Sequence, residues 1–189
     1  MKLLIASNNA HKIKEITDIL SGKFEEIISL KQAGIDCDPE ENGTTFEQNA
    51  TIKATEIAKY TNMCVLADDT GLCVDYLGGQ PGVNSARYAG NHDDKANRVK
   101  LLKQLDGIEN RKAHFETCVV LLYPDGNKLI AHGFVEGKIL TEELGENGFG
   151  YDSLFYCNEL SKTFGEATEE EKNRVSHRAR ALENLLKLL

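Results

Sequence analysis

Residues 63–75 read Met63-Cys64-Val65-Leu66-Ala67-Asp68-Asp69-Thr70-Gly71-Leu72-Cys73-Val74-Asp75, and the chain is organised around this stretch. An apolar run of strand-forming residues leads into two adjacent carboxylates, and a second apolar run follows Thr70 and Gly71. Because side chains alternate between the two faces of a strand, Asp68 and Asp69 share one site only if the backbone bends. Gly71 permits a bend, so we expect the strand to break at Thr70-Gly71.

Two adjacent carboxylates in a partly buried stretch predict a site for positive charge. The two groups repel each other, and burial raises the free-energy cost of each charge, unless a cation or a proton offsets it. We interpret Asp68 and Asp69 as ligands of a hard metal ion, or as one ligand and one base. A solvated polar turn is the alternative that this stretch alone leaves open.

The composition predicts one globular domain with a substantial core. The chain has 189 residues, of which 41% are hydrophobic and 28% are charged, so a disordered chain is not expected. The net charge of -8 argues against a nucleic-acid duplex as partner. The apolar run that follows Met1 is too short for a signal or membrane segment, so we expect no membrane association.

The five cysteines predict reduced thiols and a cytoplasmic protein. Their number is odd, no pair has the C-x-x-C spacing, and most lie among apolar residues, which argues against a disulfide framework and against a zinc site. They are Cys37, Cys64, Cys73, Cys118 and Cys157.

The N-terminal segment predicts an anion site. Lys2 to Ser7 has the pattern of a buried strand, and the turn Ser7-Asn8-Asn9 is expected to cap a helix that begins near Ala10. A helix N-terminus presents unpaired N–H groups, and Lys12 would add a charged donor one turn later. A solvated lysine beside an ordinary helix cap is the alternative.

Lys53 is an anomaly within a predicted helix from Phe46 to about Thr61. Phe46, Ala50 and Ala54 belong to the inward stripe of this helix, and Lys53 falls on the same stripe. A lysine in such a place either extends to the edge of the apolar surface or meets buried negative charge. Because the acidic pair follows within one short turn of the chain, we favour the second interpretation.

The remaining segments predict a mixed sheet flanked by helices. Strand patterns cover Glu25 to Leu30, Ala113 to Tyr123 and Lys128 to Ile139, and the last two are joined by a turn at residues 124–127. A glycine-rich connection occupies residues 78–90, and a helix is expected from Asp93 or Asp94 to about Leu105.

Two C-terminal segments carry candidate ligand-binding side chains. Glycines flank Phe149, and Tyr151 would project in the same direction in an extended chain, so the two aromatic rings either stack on a flat heterocycle or fill the core. Ser176 is expected to cap the last helix, which places His177 and Arg178 in its first turn. Cations there oppose the helix dipole, so we expect these two side chains to contact a ligand.

Taken in order, these residues resemble the inosine-triphosphate pyrophosphatase family. The resemblance covers residues from about Lys2 to Leu189, and its motifs are specific as an ordered set. They are Ser7-Asn8-Asn9 with Lys12, Thr45-Phe46 with Asn49-Ala50 and Lys53-Ala54, Ala67-Asp68-Asp69-Thr70-Gly71-Leu72, Pro81-Gly82 with Ser85-Ala86-Arg87-Tyr88, Gly148-Phe149-Gly150-Tyr151-Asp152, and Ser176-His177-Arg178.

The resemblance implies a fold and an activity. The expected fold is α/β, with an elongated mixed β-sheet flanked by helices and two lobes around a central cleft, in which residues 1–189 form a single two-lobed domain. The expected activity is Mg²⁺-dependent hydrolysis of ITP, dITP or XTP to the monophosphate and pyrophosphate by water attack at the α-phosphorus. A homodimer is the expected assembly.

The resemblance also implies roles for individual residues. Asp69 would act as general base, with Lys53 assisting catalysis, and the metal ligands would be Glu41, Asp68 and Asp69. The substrate contacts would come from Ser7, Asn8, Asn9, Lys12, Lys53, Thr70, Phe149, Gly150, Tyr151, Asp152, Lys172, His177 and Arg178. Two positions depart from the family pattern: Ser153 replaces a common proline, and Thr70 replaces the commoner serine.

Two other functions stay open at the level of the sequence. A phosphatase with an aspartate nucleophile would also have a strand that ends in aspartates, but that class needs its aspartates two residues apart, and here Asp68 and Asp69 are adjacent. A purine-nucleotide-binding regulatory protein would have the same basic and aromatic groups without catalysis.

Overall fold

The structure is a computed structural model, and it describes residues 1–90 and 92–189. Seven strands of these residues form one sheet: β1 Lys2–Ile5, β2 Glu26–Ser29, β3 Cys64–Val74, β4 Lys112–Leu122, β5 Lys128–Ile139, β6 Phe155–Cys157 and β7 Lys162–Thr163. Five α-helices connect or follow them: α1 Ala10–Ile19, α2 Phe46–Ala58, α3 Asp94–Gln104, α4 Glu169–Val175 and α5 His177–Leu186.

The sheet is mixed, as the sequence predicts. Its strand order is β2-β1-β3-β4-β5-β6-β7. Strand β1 is parallel to β2 and to β3, with Leu4 opposite Ile28 on one side and Val65 on the other. Strand β5 is antiparallel to β6, and β6 is antiparallel to β7. The predicted α/β class with a mixed, helix-flanked sheet is therefore confirmed.

Strand β3 does not break at Thr70-Gly71, so that expectation was wrong. The strand continues through both residues to Val74, and nearly all of its residues are buried. The pairing with β1 ends at Leu66, and further along the strand the Leu72 N–H donates to the Ser85 hydroxyl at 2.9 Å. Gly71 permits a bend but does not require one. Asp68 and Asp69 therefore occupy consecutive positions of a regular strand.

The described chain divides into two compact units, and each has its own apolar core. Unit 1 comprises residues 1–69, 117–133 and 178–189, and unit 2 comprises residues 70–116 and 134–177. The core of unit 1 includes Leu66, Val119 and Leu182, and the core of unit 2 includes Phe115 and Phe155. The prediction of a single two-lobed domain with a central cleft stays a prediction.

Three local features differ from the sequence-based expectation. The glycine-rich connection contains a 3₁₀ helix, Gly82–Arg87, where a loop was expected. Helix α4, Glu169–Val175, was not predicted as a separate helix, whereas α5 begins at His177 directly after the extended Ser176, so the predicted place of His177 and Arg178 in the first turn of the last helix is confirmed. The short strands β6 and β7 were not predicted, because three residues and two residues are too few for a periodic pattern.

The cysteines match the prediction of reduced thiols. All five are free, and Cys64, Cys73, Cys118 and Cys157 are buried. Within the described residues, the structure contains no helix with the length and apolar character needed to cross a bilayer.

Candidate active site

The turn between β1 and α1 caps the N-terminus of helix α1. The side-chain oxygen of Asn9 accepts hydrogen bonds from the backbone N–H groups of His11 and Lys12, at 3.0 and 3.2 Å. The Ser7 hydroxyl accepts from the N–H of Asn9 at 3.2 Å, and the Asn8 amide donates to the carbonyl of Cys37 at 3.3 Å. The predicted cap is confirmed, and it fixes Lys12 in the first turn of α1.

Asp68 is a buried carboxylate that basic side chains surround. One of its oxygens lies 3.1 Å from Lys12 Nζ and accepts from Nε and Nη2 of Arg178 at 3.3 and 3.2 Å. Burial alone would raise the pKa of Asp68, but Lys12, Arg178 and Lys53 outweigh that effect and hold this pKa well below its usual range. Asp68 therefore stays ionised at any physiological pH.

Arg178 belongs to unit 1 and lies beside Asp68. Its side chain is only 1% exposed, and its guanidinium pairs with Asp68 and with Glu15 of α1. Glu15 was not among the predicted site residues. Its spacing could have identified it, because Glu15 follows Lys12 by three residues and so lies on the same side of the helix.

Asp69 lies in a different environment from Asp68. The Asn49 side-chain amide donates to one Asp69 oxygen at 3.0 Å, and Lys53 Nζ lies 3.8 Å from the other. Burial raises the pKa of Asp69 to about 6, with Glu41 adding to the increase and with Lys53, Lys12 and the Asn49 hydrogen bond opposing it. This carboxyl group can therefore both hold and release a proton near neutral pH.

Lys53 meets buried negative charge, as the sequence predicts. Its ammonium group donates to the main-chain carbonyl of Asp68 and lies 3.3 Å from Glu41. Asn49 was not predicted as a contact of Asp69; it precedes Lys53 by four residues, about one helical turn, and is fully buried. A polar residue on the inward stripe, one turn before the lysine, was the signal for it.

The two aspartates face different helices because consecutive strand residues alternate faces. Asp68 meets α1 and α5 through Lys12 and Arg178, whereas Asp69 meets α2 through Asn49 and Lys53. Glu41 and Asp69 both approach the ammonium group of Lys53. The carboxylates of Glu41 and Asp69 offer the oxygen ligands that a hard divalent cation takes, whereas the Asp68 side chain leaves the other face of β3 and meets Lys12 and Arg178.

In unit 2, the loop around Phe149 is fixed by Asp152. One oxygen of the buried Asp152 accepts from Lys172 Nζ at 2.7 Å and from the N–H of Phe149 at 3.0 Å. The same ammonium group lies 4.9 Å from the centre of the Phe149 ring. Gly148 has a φ of 76°, and a Cβ there would lie 2.1 Å from the Asp152 carboxylate, so a larger residue does not fit.

Tyr151 fills the core, which is one of the two alternatives that the sequence left open for this residue. The chain turns at residues 150–154 instead of extending, which places the Tyr151 ring among the apolar residues of unit 2 with 4% exposure. Its hydroxyl donates to the carbonyl of Ser85 at 2.8 Å. Gly150 donates to the Asp94 carboxylate and accepts from Arg98, a contact that sequence reasoning missed.

His177 is buried beside an aromatic cluster of unit 2. Its ring stacks on the ring of Phe115, with a centroid separation of 4.7 Å and an interplanar angle of 19°. Lys172, from α4, is 5% exposed and His177 is 3% exposed. Lys172 meets its hydrogen-bonding requirement in part through Asp152, and both side chains lie in the part of unit 2 where the sequence predicts ligand contacts.

The predicted site residues thus form two groups, one in each unit. Thr70, which follows Asp69 on β3, is partly buried and belongs to unit 2. Unit 1 contains Ser7, Asn8, Asn9, Lys12, Glu41, Lys53, Asp68, Asp69 and Arg178, and unit 2 contains Thr70, Phe149, Gly150, Tyr151, Asp152, Lys172 and His177.

Comparison with known proteins gives full-length matches. Residues 3–188 match the sequence profile of the Ham1 family. A dITP/XTP pyrophosphatase of Clostridium perfringens is 50% identical over 97% of this chain and 95% of its own length. The structure of the Staphylococcus aureus Ham1 protein superposes with a TM-score of 0.88 and 40% identity, covering 100% of this chain and 97% of that one. A HAM1 protein from Coxiella burnetii gives a TM-score of 0.89 and 38% identity, covering 100% of this chain and 98% of that one.

Proposed function

Because the chain belongs to the Ham1 family, we propose that it hydrolyses ITP, dITP and XTP to the nucleoside monophosphate and pyrophosphate. The full-length match to a dITP/XTP pyrophosphatase is the observation that carries the reaction. The enzyme is then a hydrolase that acts on an acid anhydride. This reaction removes purine nucleoside triphosphates with altered bases from the nucleotide pool.

The carboxylates of unit 1 are the proposed Mg²⁺ ligands. Glu41, Asp68 and Asp69 offer the oxygen atoms that Mg²⁺ prefers, and several phosphate oxygens complete such sites in other nucleotide enzymes. When bound, Mg²⁺ neutralises phosphate charge and lowers the free energy of the negatively charged transition state. Removal of Mg²⁺ with EDTA is expected to abolish turnover, and added Mg²⁺ is expected to restore it.

The basic groups of unit 1 are the proposed triphosphate contacts. The N-terminus of α1, with Ser7, Asn8 and Asn9 in the preceding turn, provides donors for phosphate oxygens. Lys12 lies in the first turn of that helix, and burial lowers its pKa even though Asp68 opposes the change. Lys53 is placed to stabilise the negative charge that develops as pyrophosphate departs.

Asp69 is the proposed general base. Its carboxylate accepts a proton from a water molecule as the water oxygen bonds to the α-phosphorus, and the bond between the α-phosphorus and the bridging oxygen to the β-phosphate breaks. The electron pair of that bond leaves with pyrophosphate. A pKa of about 6 leaves most of the Asp69 carboxyl groups ionised at pH 7 and still basic enough to take the proton.

The loop around Phe149, together with Lys172 and His177, provides the proposed purine contacts in unit 2. The Phe149 ring offers a face for stacking, Thr70 and the backbone at Gly150 and Tyr151 border the substrate, and Asp152 holds Lys172. Hypoxanthine and xanthine have a carbonyl oxygen at C6, which a donor such as Lys172 or His177 can meet. Adenine has an amino group there, and leaving a buried donor unpaired can discriminate by about 10⁴ or more.

Arg178 has a proposed positioning role. In the structure its guanidinium binds Asp68 and Glu15, which keeps the Asp68 carboxylate ionised and oriented. A contribution of Arg178 to purine selection stays a prediction, and the ratio of kcat/KM for ITP to that for ATP in Arg178→Ala measures it.

One assay with two variants tests the proposed reaction. We expect a panel of nucleoside triphosphates to show pyrophosphate release from ITP, dITP and XTP, with little orthophosphate. Asp69→Asn is expected to lower kcat by about 10²–10⁴ while nucleotide binding changes little. Asp18→Asn, a matched control on the exposed face of α1, is expected to retain full activity.

The same assay separates the other two functions. Orthophosphate release with a trapped phosphoenzyme would indicate an aspartate-nucleophile phosphatase, and nucleotide binding without any release would indicate a regulatory protein. A fully active Asp69→Asn enzyme would remove Asp69 from its role. Sedimentation of the purified chain measures its oligomeric state and so tests the predicted homodimer separately.

A further inference from the structure

A group of soft and borderline metal-binding side chains lies in unit 2. Cys73 is on β3, and His114 and Glu116 are on β4, which is the neighbouring strand. Because His114 and Glu116 are two residues apart, their side chains leave the same face of β4. One possible ligand atom from each residue lies within 4.8 Å of the other two, and among residues 1–90 and 92–189 this is the single group of three or more that does so.

We propose that Cys73, His114 and Glu116 bind one divalent cation of the Zn²⁺ class. These residues are different from the proposed Mg²⁺ ligands, and the inference does not depend on the proposed function. Zn²⁺ accepts thiolate sulfur, imidazole nitrogen and carboxylate oxygen together, whereas Mg²⁺ is bound by oxygen. The chemistry of the three side chains therefore selects Zn²⁺ over the cation expected for catalysis.

The geometry of the three side chains suits a small cation. With metal–ligand bonds of about 2.0–2.3 Å, a tetrahedral site separates its ligand atoms by about 3.3–3.8 Å. Separations of up to 4.8 Å before binding require only small side-chain rotations. Cys73 is buried, and His114 and Glu116 are partly buried, so few other rotamers compete with the binding conformation. The Phe134 ring, 6.1 Å from the ring of His114, packs against the imidazole.

The local charge also favours a cation. Burial raises the pKa of Cys73 to about 11, and the nearby carboxylates of Glu116 and Asp75 add to the increase. The thiol is therefore neutral in the metal-free protein. Binding of the cation displaces the thiol proton to solvent and forms a sulfur–metal bond, so one proton leaves for each ion bound. One thiolate and one carboxylate then balance the two positive charges.

Three protein ligands leave one coordination position for water. Structural zinc sites have four protein ligands, whereas three protein ligands and one water are the arrangement of catalytic zinc sites. The bound ion would join β3 to β4 in addition to their ladder hydrogen bonds. Because unfolded chain lacks the preformed site, the ion would stabilise the folded protein.

Cobalt(II) is the direct probe of this site, because a thiolate ligand gives it a charge-transfer absorption band that oxygen ligands do not. The full-length protein is freed of metal with a chelator and titrated with Co²⁺ in excess Mg²⁺, which occupies the oxygen-ligand site. We expect a thiolate–cobalt band that saturates at one equivalent and disappears when Zn²⁺ is added. Zn²⁺ is also expected to raise the thermal unfolding midpoint.

Matched variants identify the ligands. Cys73→Ser is expected to lose the band and the Zn²⁺-dependent rise in midpoint, while Cys37→Ser, a cysteine outside the group, keeps both. Glu116→Gln retains the thiol, so it is expected to show the band with affinity weaker by at least about tenfold. It serves as the test if Cys73→Ser does not fold.

Three results would overturn the proposal. The first is Co²⁺ binding by the unaltered protein without a thiolate band, and the second is a Glu116→Gln variant with unchanged affinity. The third is a band that persists in Cys73→Ser, which would place the thiolate at another cysteine such as Cys118, whose sulfur lies 3.8 Å from His132 Nε2. Loss of pyrophosphatase activity has no part in any of these readouts.

Discussion

Burial of the Asp69 carboxylate lowers the stability of the folded protein, and it also gives this group a pKa suited to proton transfer. In the folded, metal-free protein its pKa is raised from 3.8 to about 6, so the ionised form is less favourable there than in the unfolded chain. The free-energy penalty of the ionised Asp69 carboxylate in the folded protein is therefore absent below about pH 4, grows between pH 4 and 6 and is complete above pH 6.

Asp69→Asn is therefore expected to stabilise the metal-free protein at pH 7.5, by up to about 3 kcal/mol, and to change its stability little near pH 4. Urea unfolding in EDTA at the two pH values measures the difference. The Asp18→Asn control is expected to show no such pH dependence. Equal effects of Asp69→Asn at both pH values would mean that desolvation of this carboxylate does not limit stability.

Arg178 combines complete burial with two ionic partners. Its removal leaves the carboxylate of Asp68 buried beside Glu15 without the guanidinium that both contact. Arg178→Ala is expected to lower the free energy of unfolding by about 3–5 kcal/mol. Arg178→Lys is expected to recover only part of this loss, because an ammonium group lacks the planar fork that reaches two carboxylates.

Urea unfolding followed by circular dichroism measures the Arg178 effect. Arg174→Ala is the matched control, because Arg174 is exposed and pairs with exposed Glu170. It is expected to change stability by less than about 1 kcal/mol. An Arg178→Ala protein as stable as this control would show that the pair with Asp68 contributes little.

Among the elements, α4 has the clearest sequence signature. The Thr168 hydroxyl accepts from the N–H of Glu171, and the Glu171 carboxylate accepts in return from the N–H of Thr168. This capping box starts a helix of seven residues that carries Lys172. So short a helix depends on its cap more than a long helix does.

Thr168→Ala is therefore expected to lower the free energy of unfolding by about 1 kcal/mol. Because α4 positions Lys172, we also expect KM for ITP to rise more than kcat falls. Thr168→Ser keeps the hydroxyl and is expected to behave like the unaltered protein. Steady-state kinetics with ITP measure both constants. An unchanged KM in Thr168→Ala would show that the cap of α4 does not contribute to purine binding.

The elements also show where sequence patterns are sufficient. Strand β5 and the helix cap at Asn9 were predicted, because alternation and capping residues are local properties. The continuous course of β3 was not, since it depends on hydrogen bonds to neighbours that are distant in the chain. Tyr151 illustrates the same limit, because only the tertiary fold decides whether its ring is exposed or buried.

At the scale of the whole molecule, each of the two units is built from several separate segments of the chain. Strands β3, β4 and β5 each contribute residues to both units. Unfolding one unit would therefore remove ordered neighbours from strands that the other unit needs. We expect the chain to unfold in one cooperative transition.

Two core variants test this cooperativity. Leu66→Ala in unit 1 and Phe155→Ala in unit 2 are each expected to lower the free energy of unfolding by about 2–5 kcal/mol, because both side chains are fully buried. Tyr60→Ala, at an exposed position, is the control. Coincident transitions by far-ultraviolet circular dichroism and tyrosine fluorescence are expected, and two separated transitions in either variant would refute the prediction.

At this scale the sequence predicted the class of the fold, and the order of its motifs predicted the family. The environments of the site residues required coordinates. Asp68 and Asp69 are adjacent and identical in type, yet their pKa values move in opposite directions, because the side chains face different helices. No pattern within residues 63–75 contains that information.

The hydrogen bonds from Phe149 and Lys172 to Asp152 have a kinetic consequence. They order the loop before any nucleotide arrives, so its conformational entropy is lost during folding rather than during association. Nucleotide capture should then be a single-step encounter, with an observed rate that rises linearly with concentration and does not level off. Stopped-flow measurements with a fluorescent inosine analogue would show that line.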